Sequence, residues 1–234
     1  MLILAVDTSG SNCSVALMKD NVLLGEYNMN FGKQHSVLLM PMIEDLMKKT
    51  EISTGDLTHL ALNVGPGSFT GLRIGLSVIE AMSYALSIPL YGYTSFETTA
   101  ESLKSADRRI LVLHDALKKT FYSAAFSNEA SIQVEVLEPE VRSLSELKDL
   151  FGSGQNLVLA GDALGKYLPD LKKTFPDARF SPDSVIQRAS SAARLCYADV
   201  QLGVSARPTI LPRYMRKPQA EREYEAKHGH DINS

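Results

Sequence analysis

The sequence predicts an α/β fold in which mixed sheets are flanked by helices, and three observations predict it. Short aliphatic runs open the chain as a set of three, two long segments with helical spacing of apolar residues follow, and strand-like and helix-like stretches then alternate. With 234 residues, 44% apolar and 22% charged, the chain can bury a sizeable core as one domain or as two small ones. The same figures exclude a wholly disordered, collagenous or low-complexity protein. Lys and Arg number 24 against 27 Asp and Glu, a formal charge of -3, so the global basic excess of a free-standing nucleic-acid binder is missing.

Leu2–Val6, Ser14–Met18 and Val22–Tyr27 read as strands, and Lys19-Asp20-Asn21 is short enough for a hairpin turn. The first run ends at Asp7 with no basic leader, so the start reads as a strand and not a signal peptide. No stretch approaches the roughly 20 apolar residues of a spanning helix, and a cytoplasmic protein free of membrane is expected. Lys33–Lys49 carries apolar residues at helical spacing, with a kink or local 3₁₀ turn expected at Pro41. His59–Val64 is a strand, Thr70–Ser87 a helix, Leu90–Tyr93 a strand, and Ser95–Ser105 a helix with Ser95 as its N-cap.

Arg108-Arg109 mark a boundary, giving residues 1–106 as a first lobe, 107–220 as a second and 221–234 as a polar, disordered tail. Ile110–His114, Phe121–Phe126, Ile132–Leu137 and Leu157–Ala160 read as strands. Ser143–Leu150, Leu164–Lys173 with a break at Pro169, and Ser184–Leu202 read as helices. Cys13 and Cys196 make neither a disulfide framework nor a metal cluster and are expected as reduced thiols. His228 and His230 in the tail are a poor metal site on two ligands.

Two segments stand out. Val64-Gly65-Pro66-Gly67-Ser68-Phe69-Thr70-Gly71-Leu72-Arg73-Ile74-Gly75 sets four glycines between a strand and a helix. It lacks the GKS/T ending of a phosphate loop and the GxGxxG spacing, which leaves a structural turn or an anion cradle on free N–H groups. The helix after it is apolar around most of its circumference, so a second domain or a partner covers its outer side. The other segment is Asp7-Thr8-Ser9-Gly10-Ser11 at the end of the first strand, where nucleotide-handling folds hold phosphate or metal. A turn bonded by its own side chains fits it equally. No HExxH, GxSxG or activated cysteine is present, and His114 and Asp115, adjacent in a strand, point to opposite faces.

AVDTSGSNCSVAL, the pattern around His35, VGPGSFTGLRIG and LPRYMRK (Leu211–Lys217) occur in the order of the TsaB (YeaZ) family, and the chain resembles it over about residues 1–217. The resemblance implies an actin-like ATPase (ASKHA) fold, two lobes of ribonuclease H-like topology. It implies a non-catalytic, scaffolding paralogue of TsaD in the modification of tRNA to N6-threonylcarbamoyladenosine. TsaD is then a direct partner through first-lobe helices, TsaE joins a ternary complex, the chain alone is a homodimer, and tRNA is met only through the complex. Arg207, Arg213, Arg216 and Lys217 would supply a modest basic patch there. No cofactor is expected on this chain, and nucleotide belongs to the assembly. Ser95 and Thr99 stand where TsaD-like proteins carry an HxxxH metal pair, and Leu117 stands where the family more often has Arg. The implied interface residues are His35, Leu38, Met42, Leu46, Gly71, Arg73, Gly75 and Ile79. The competing readings are a stand-alone actin-like ATPase or kinase and a metallopeptidase of the glycoprotease type.

Overall fold

The computed structural model describes residues 1–30, 35–129, 132–206 and 210–215. The proposed tail, with His228 and His230, lies outside them. β1 (Leu2–Asp7), β2 (Cys13–Lys19) and β3 (Val22–Met29) form an antiparallel ladder, and β4 (His59–Asn63) and β5 (Leu90–Tyr93) add in parallel beyond β1. Asp20 and Asn21 turn the first hairpin with φ of 45° and 65°, the left-handed pair that matches strand twist. The second half repeats this plan. β6 (Arg109–Asp115), β7 (Thr120–Glu129) and β8 (Ile132–Ser143) are antiparallel, and β9 (Leu157–Ala160) and β10 (Arg179–Phe180) are parallel to β6. The two orders, β3-β2-β1-β4-β5 and β8-β7-β6-β9-β10, are the same topology.

Among the described residues six helices cover the sheets: α1 (His35–Lys49), α2 (Phe69–Leu86), α3 (Ser95–Glu101), α4 (Leu144–Phe151), α5 (Ala163–Thr174) and α6 (Ala189–Gln201). Along β1 the two-residue period splits the side chains. Leu2, Leu4 and Val6 meet Leu39, Ile43 and Leu46 of α1 and Ile79 of α2. Ile3 and Ala5 turn the other way, with Ala16 and Ala61, onto Ala189, Ala192, Ala193 and Cys196 of α6. Small residues on both sides of that contact let helix and sheet approach closely.

Helices are exchanged between the halves. α6, from the second half, covers the first sheet, and α3, from the first half, covers the second through Phe96 and Ala100 on Ile110, Val112 and Tyr122. α4 and α5 cover the outer face of the second sheet. The sheets follow the two halves of the sequence, whereas the helices between them do not.

Three local expectations change. Thr94, and not Ser95, caps α3, because Glu97 three residues on bonds back to the Thr94 N–H at 2.6 Å and completes a capping box. The helix read from Ser184 begins at Ala189 after a short 3₁₀ turn at Pro182–Val185, since Asn12 Nδ2 draws the Gln187 carbonyl out of line at 2.6 Å. α5 is one continuous helix through Pro169, where a break was expected, and α1 likewise runs through Pro41 without a 3₁₀ turn, Pro41 and Val37 both lying on its exposed side.

Candidate functional site

The two segments singled out by sequence are a single contact. Ser68 N–H donates to the Ser9 carbonyl at 2.6 Å, and Thr8 Oγ1 donates to the Gly71 carbonyl at 2.7 Å. A β-carbon on Gly67 would lie 2.3 Å from the Ser9 carbonyl oxygen, and one on Gly71 only 2.0 Å from that of Thr8. One on Gly75 would lie 2.3 Å from Thr8 Oγ1. The β1–β2 loop thus presses on the start of α2, and three of the glycines are there to let it. The fourth, Gly65, has φ of 97° and turns the chain out of β4. Of the two readings of this segment, the geometry favours the structural turn, since the Ser68 N–H is bonded within the chain.

Asp7 ends β1 fully buried. Ser9 N–H and Ser9 Oγ donate to its Oδ1 at 2.9 and 2.7 Å, and Asn63 Nδ2 donates to Oδ2 at 2.7 Å. Burial pushes its carboxyl above the usual range, against the pull of these donors and of His114. Asn63 Oδ1 also accepts from Gly65 N–H and Ser95 Oγ, so one amide ties the ends of β1 and β4 to the start of α3. His114 does not pair with Asp115. Its Nδ1 lies 3.4 Å from Asp162 Oδ1 at the start of α5, its ring stacks at a tilt on Phe96, and its buried Nε2 has no partner among the described residues. Asp115 faces α5 instead, accepting from Lys166 and Tyr167.

The two positions matched to a metal pair do not fit a metal. Ser95 Oγ donates to the Pro66 carbonyl at 2.7 Å and Thr99 Oγ1 to Gln187 Oε1 at 3.1 Å, so both neutral hydroxyls are engaged within the chain. Among the described residues no group of three or more His, Cys, Asp or Glu side chains could hold a metal ion. No helix among them is long and apolar enough to cross a membrane.

The profile of the TsaD family, tRNA N6-adenosine threonylcarbamoyltransferase, matches residues 29–227. A tRNA threonylcarbamoyladenosine biosynthesis protein TsaB from Buchnera aphidicola subsp. Schizaphis graminum is 30% identical over 166 residues, 65% of this chain and 79% of that protein. The TsaB of Bacillus subtilis is 28% identical over 159 residues, 68% and 69% of the two chains. The chain belongs to the TsaB/YeaZ family. The solved structure of YeaZ from Pseudomonas aeruginosa shares its two-lobed, actin-like fold, with a TM-score of 0.78 and 22% identity over 92% of this chain and 99% of that one.

The residues implied as a TsaB-type interface are not all on the surface. His35 is buried with Nε2 3.1 Å from the Asn12 carbonyl, and Met42, Leu46 and Ile79 belong to the first core. Gly71 and Gly75 do not face a partner helix: the space above them is filled by Thr8. Leu38 is half-buried and Arg73 is exposed, its guanidinium 4.0 Å over the Phe69 ring and its Nε 3.0 Å from Tyr214 Oη. Arg73 thereby holds the segment 210–215, whose Arg213 N–H donates to the Val64 carbonyl at 2.7 Å. The outer faces of α1 and α2 carry Val37, Met40, Ala81 and Tyr84, none of them among those eight residues. Tyr84 was recoverable, as the one aromatic in the second half of α2. Of the four basic residues in the expected patch, Arg213 alone lies among the described residues.

Proposed function

We propose that this chain is a non-catalytic partner subunit of the assembly that makes N6-threonylcarbamoyladenosine in tRNA. It binds TsaD through the outer faces of α1 and α2, TsaE joins that pair, and the free chain pairs with itself through the same faces in the cytoplasm. The observation that carries the reading is the exposure of large apolar side chains on these two helices: Tyr84 at 90%, Val37 at 66% and Met40 at 41%. Leu38, Ile74, Val78 and Met82 lie half-buried beside them. Apolar surface on the outer side of two neighbouring helices fits a protein partner. Family membership supports TsaD as that partner. The engaged hydroxyls at Ser95 and Thr99 fit a subunit without its own metal centre.

The test is TsaD binding by Met40→Glu and Ala81→Glu, each placing a charge on the proposed face. Both substitutions sit on exposed positions, so melting should move little, whereas TsaD affinity should fall about tenfold or more. Threonylcarbamoylation by the reconstituted assembly should fall with it. Folded variants that bind TsaD as tightly as the parent would remove this face from the interface.

A further inference from the structure

The two sheets leave four outer strands, β3 and β5 in the first and β8 and β10 in the second. An outer strand offers a row of main-chain N–H and C=O groups to any extended chain, and folded proteins blunt such edges by shortness, charge, proline or irregular register. β5 has four residues and β10 two. β8 carries Pro139, exposed Glu135, Glu138 and Glu140, and two breaks in its register with β7. β3 is the edge left open. We propose that the outer edge of β3 is an interface between two copies of this chain, joined strand to strand in antiparallel fashion.

β3 runs for eight residues with neither proline nor a basic side chain, and among the described residues no strand lies beyond it. Val22, Leu23 and Leu24 are exposed in succession, at 62%, 38% and 39%, and Met29 at the other end at 44%. One irregularity, at Leu24, twists the start of the strand and leaves residues 25–29 paired with β2 without a break.

The chemistry of the edge selects its occupant. Its one carboxylate, Glu26, accepts from Ser190 N–H at 2.9 Å on the α6 side. On the α1 side Tyr27 donates to Asp45, which is itself paired with Lys49 at 3.0 Å. The edge therefore offers no unbalanced charge, and it suits a neutral, apolar, extended segment. β3 is itself such a segment, already held extended by β2, so a second copy pairs without the ordering cost that a flexible peptide bears. Antiparallel pairing about a two-fold axis is self-complementary. The reversal also sets the two hairpin turns, with Lys19 and Asp20, at opposite ends of the joint, where like charges do not meet.

The position of the edge makes this a second surface. α1 packs on β2 and β3, and α2 on β1, β4 and β5, so β3 lies on the side of α1 away from α2. The joint at β3 is separate from the α1–α2 face, and occupation of one leaves the other open.

Sedimentation equilibrium of the full chain tests this in a background, Met40→Glu/Ala81→Glu, that charges the α1–α2 face. That chain should still form dimers. Adding Val22→Lys and Leu24→Lys should raise their dissociation constant at least about tenfold, because like charges then face each other across the joint. Val134→Lys on β8, the same change at the blunted edge of the other sheet, should leave it unchanged. Thermal melting checks that each variant is folded. Hydrogen exchange gives a direct reading of the strand: outward amides of residues 22–29 should exchange more slowly as chain concentration rises, with those of β8 unaffected. Three results would each overturn the interface: a background chain that stays monomeric at sub-millimolar concentration, dimers as tight with both lysines as without, or exchange in β3 that is independent of concentration.

Discussion

Gly71 and Gly75 face the β1–β2 loop, and substituting each with alanine separates a backbone contact from a side-chain contact. Replacing a helical glycine by alanine normally gains about 1 kcal/mol of helix propensity. At Gly71 the new β-carbon would lie 2.0 Å from the Thr8 carbonyl oxygen and 3.2 Å from Ser68 Cβ. Carbon and oxygen do not approach that closely, so α2 or the loop must move by about 1 Å. Such overpacking costs about 3 kcal/mol, and losing the Thr8 Oγ1 bond to the Gly71 carbonyl adds about 1. The net loss for Gly71→Ala is then about 3 kcal/mol, or roughly 6–12 °C in melting temperature for a chain of this size. At Gly75 the obstacle is Thr8 Oγ1 at 2.3 Å, with Leu62 Cδ1 next at 3.2 Å and Thr8 Cβ at 3.5 Å. Removing that hydroxyl in Thr8→Ala should therefore restore tolerance of Gly75→Ala but not of Gly71→Ala, whose obstacle is backbone. Urea denaturation of the three single and two double variants measures the coupling, expected above about 1.5 kcal/mol for Gly75 with Thr8 and no more than about 1 kcal/mol, the worth of their shared hydrogen bond, for Gly71 with Thr8. A Gly71→Ala protein that melts at or above the parent would refute the packing argument. Equal cost of Gly75→Ala in both backgrounds would assign its clash to some other atom.

The buried thiols give a pH prediction. Burial pushes Cys13 up to about 11 and Cys196 up to about 12 from an ordinary 9.0, so each adds stability that is complete below about pH 9 and drains away as pH rises toward those values. The urea midpoint should hold from about pH 7 to 8.5 and decline above 9, and the Cys13→Ala/Cys196→Ala variant should show a shallower decline. At the β6–β7 turn, Leu117, Lys118 and Lys119 all have positive φ, at 62°, 49° and 59°. Lys118→Gly should raise stability by up to about 1 kcal/mol, read as a shift of about 2–4 °C, and a lower melting temperature would contradict it. Arg73→Ala removes the ring contact with Phe69 and the bond to Tyr214. Chymotryptic cleavage after Tyr214 should speed up while the global melt changes by less than about 1 kcal/mol; unchanged cleavage would show that Arg73 does not hold that segment.

Most of the secondary structure was legible because local spacing states how many sides of a segment are covered. The alternation of Leu2, Leu4 and Val6 with Ile3 and Ala5, apolar on both faces, requires a strand covered twice. Asp20-Asn21 between aliphatic runs requires a tight hairpin. Lys33–Lys49 and Thr70–Ser87 were read as helices from the same kind of spacing, and α1 and α2 run within a few residues of those limits. The strand Arg179–Phe180 was missed because two residues carry no period.

Within the site, Asp7 and the four glycines were visible as unusual residues, yet their relation was not. Spacing says that a glycine makes room, not for what. Gly71 and Gly75, four apart on one helix face, look the same whether a partner helix or a loop 63 residues earlier fills the space. His114 was visible too, but its neighbour Asp162 comes from a separate strand end. Asn63 and Gln187 gave no signal, since a polar residue beside a strand or helix end is ordinary until its partners are known.

The sequence by itself determined the α/β class, the order of elements, the buried thiols and the family, all of which rest on local periodicity, turn chemistry and short motifs. The tertiary structure alone decided which sheet α3 and α6 cover, that Thr8 fills the space over the glycines, and which helix residues remain on the surface. The physical reason is that apolar burial is non-directional. Ala192 and Phe96 each require an apolar surface, and nothing in the residues between them says which sheet supplies it. That choice is made only when both sheets have formed and each still has one open face.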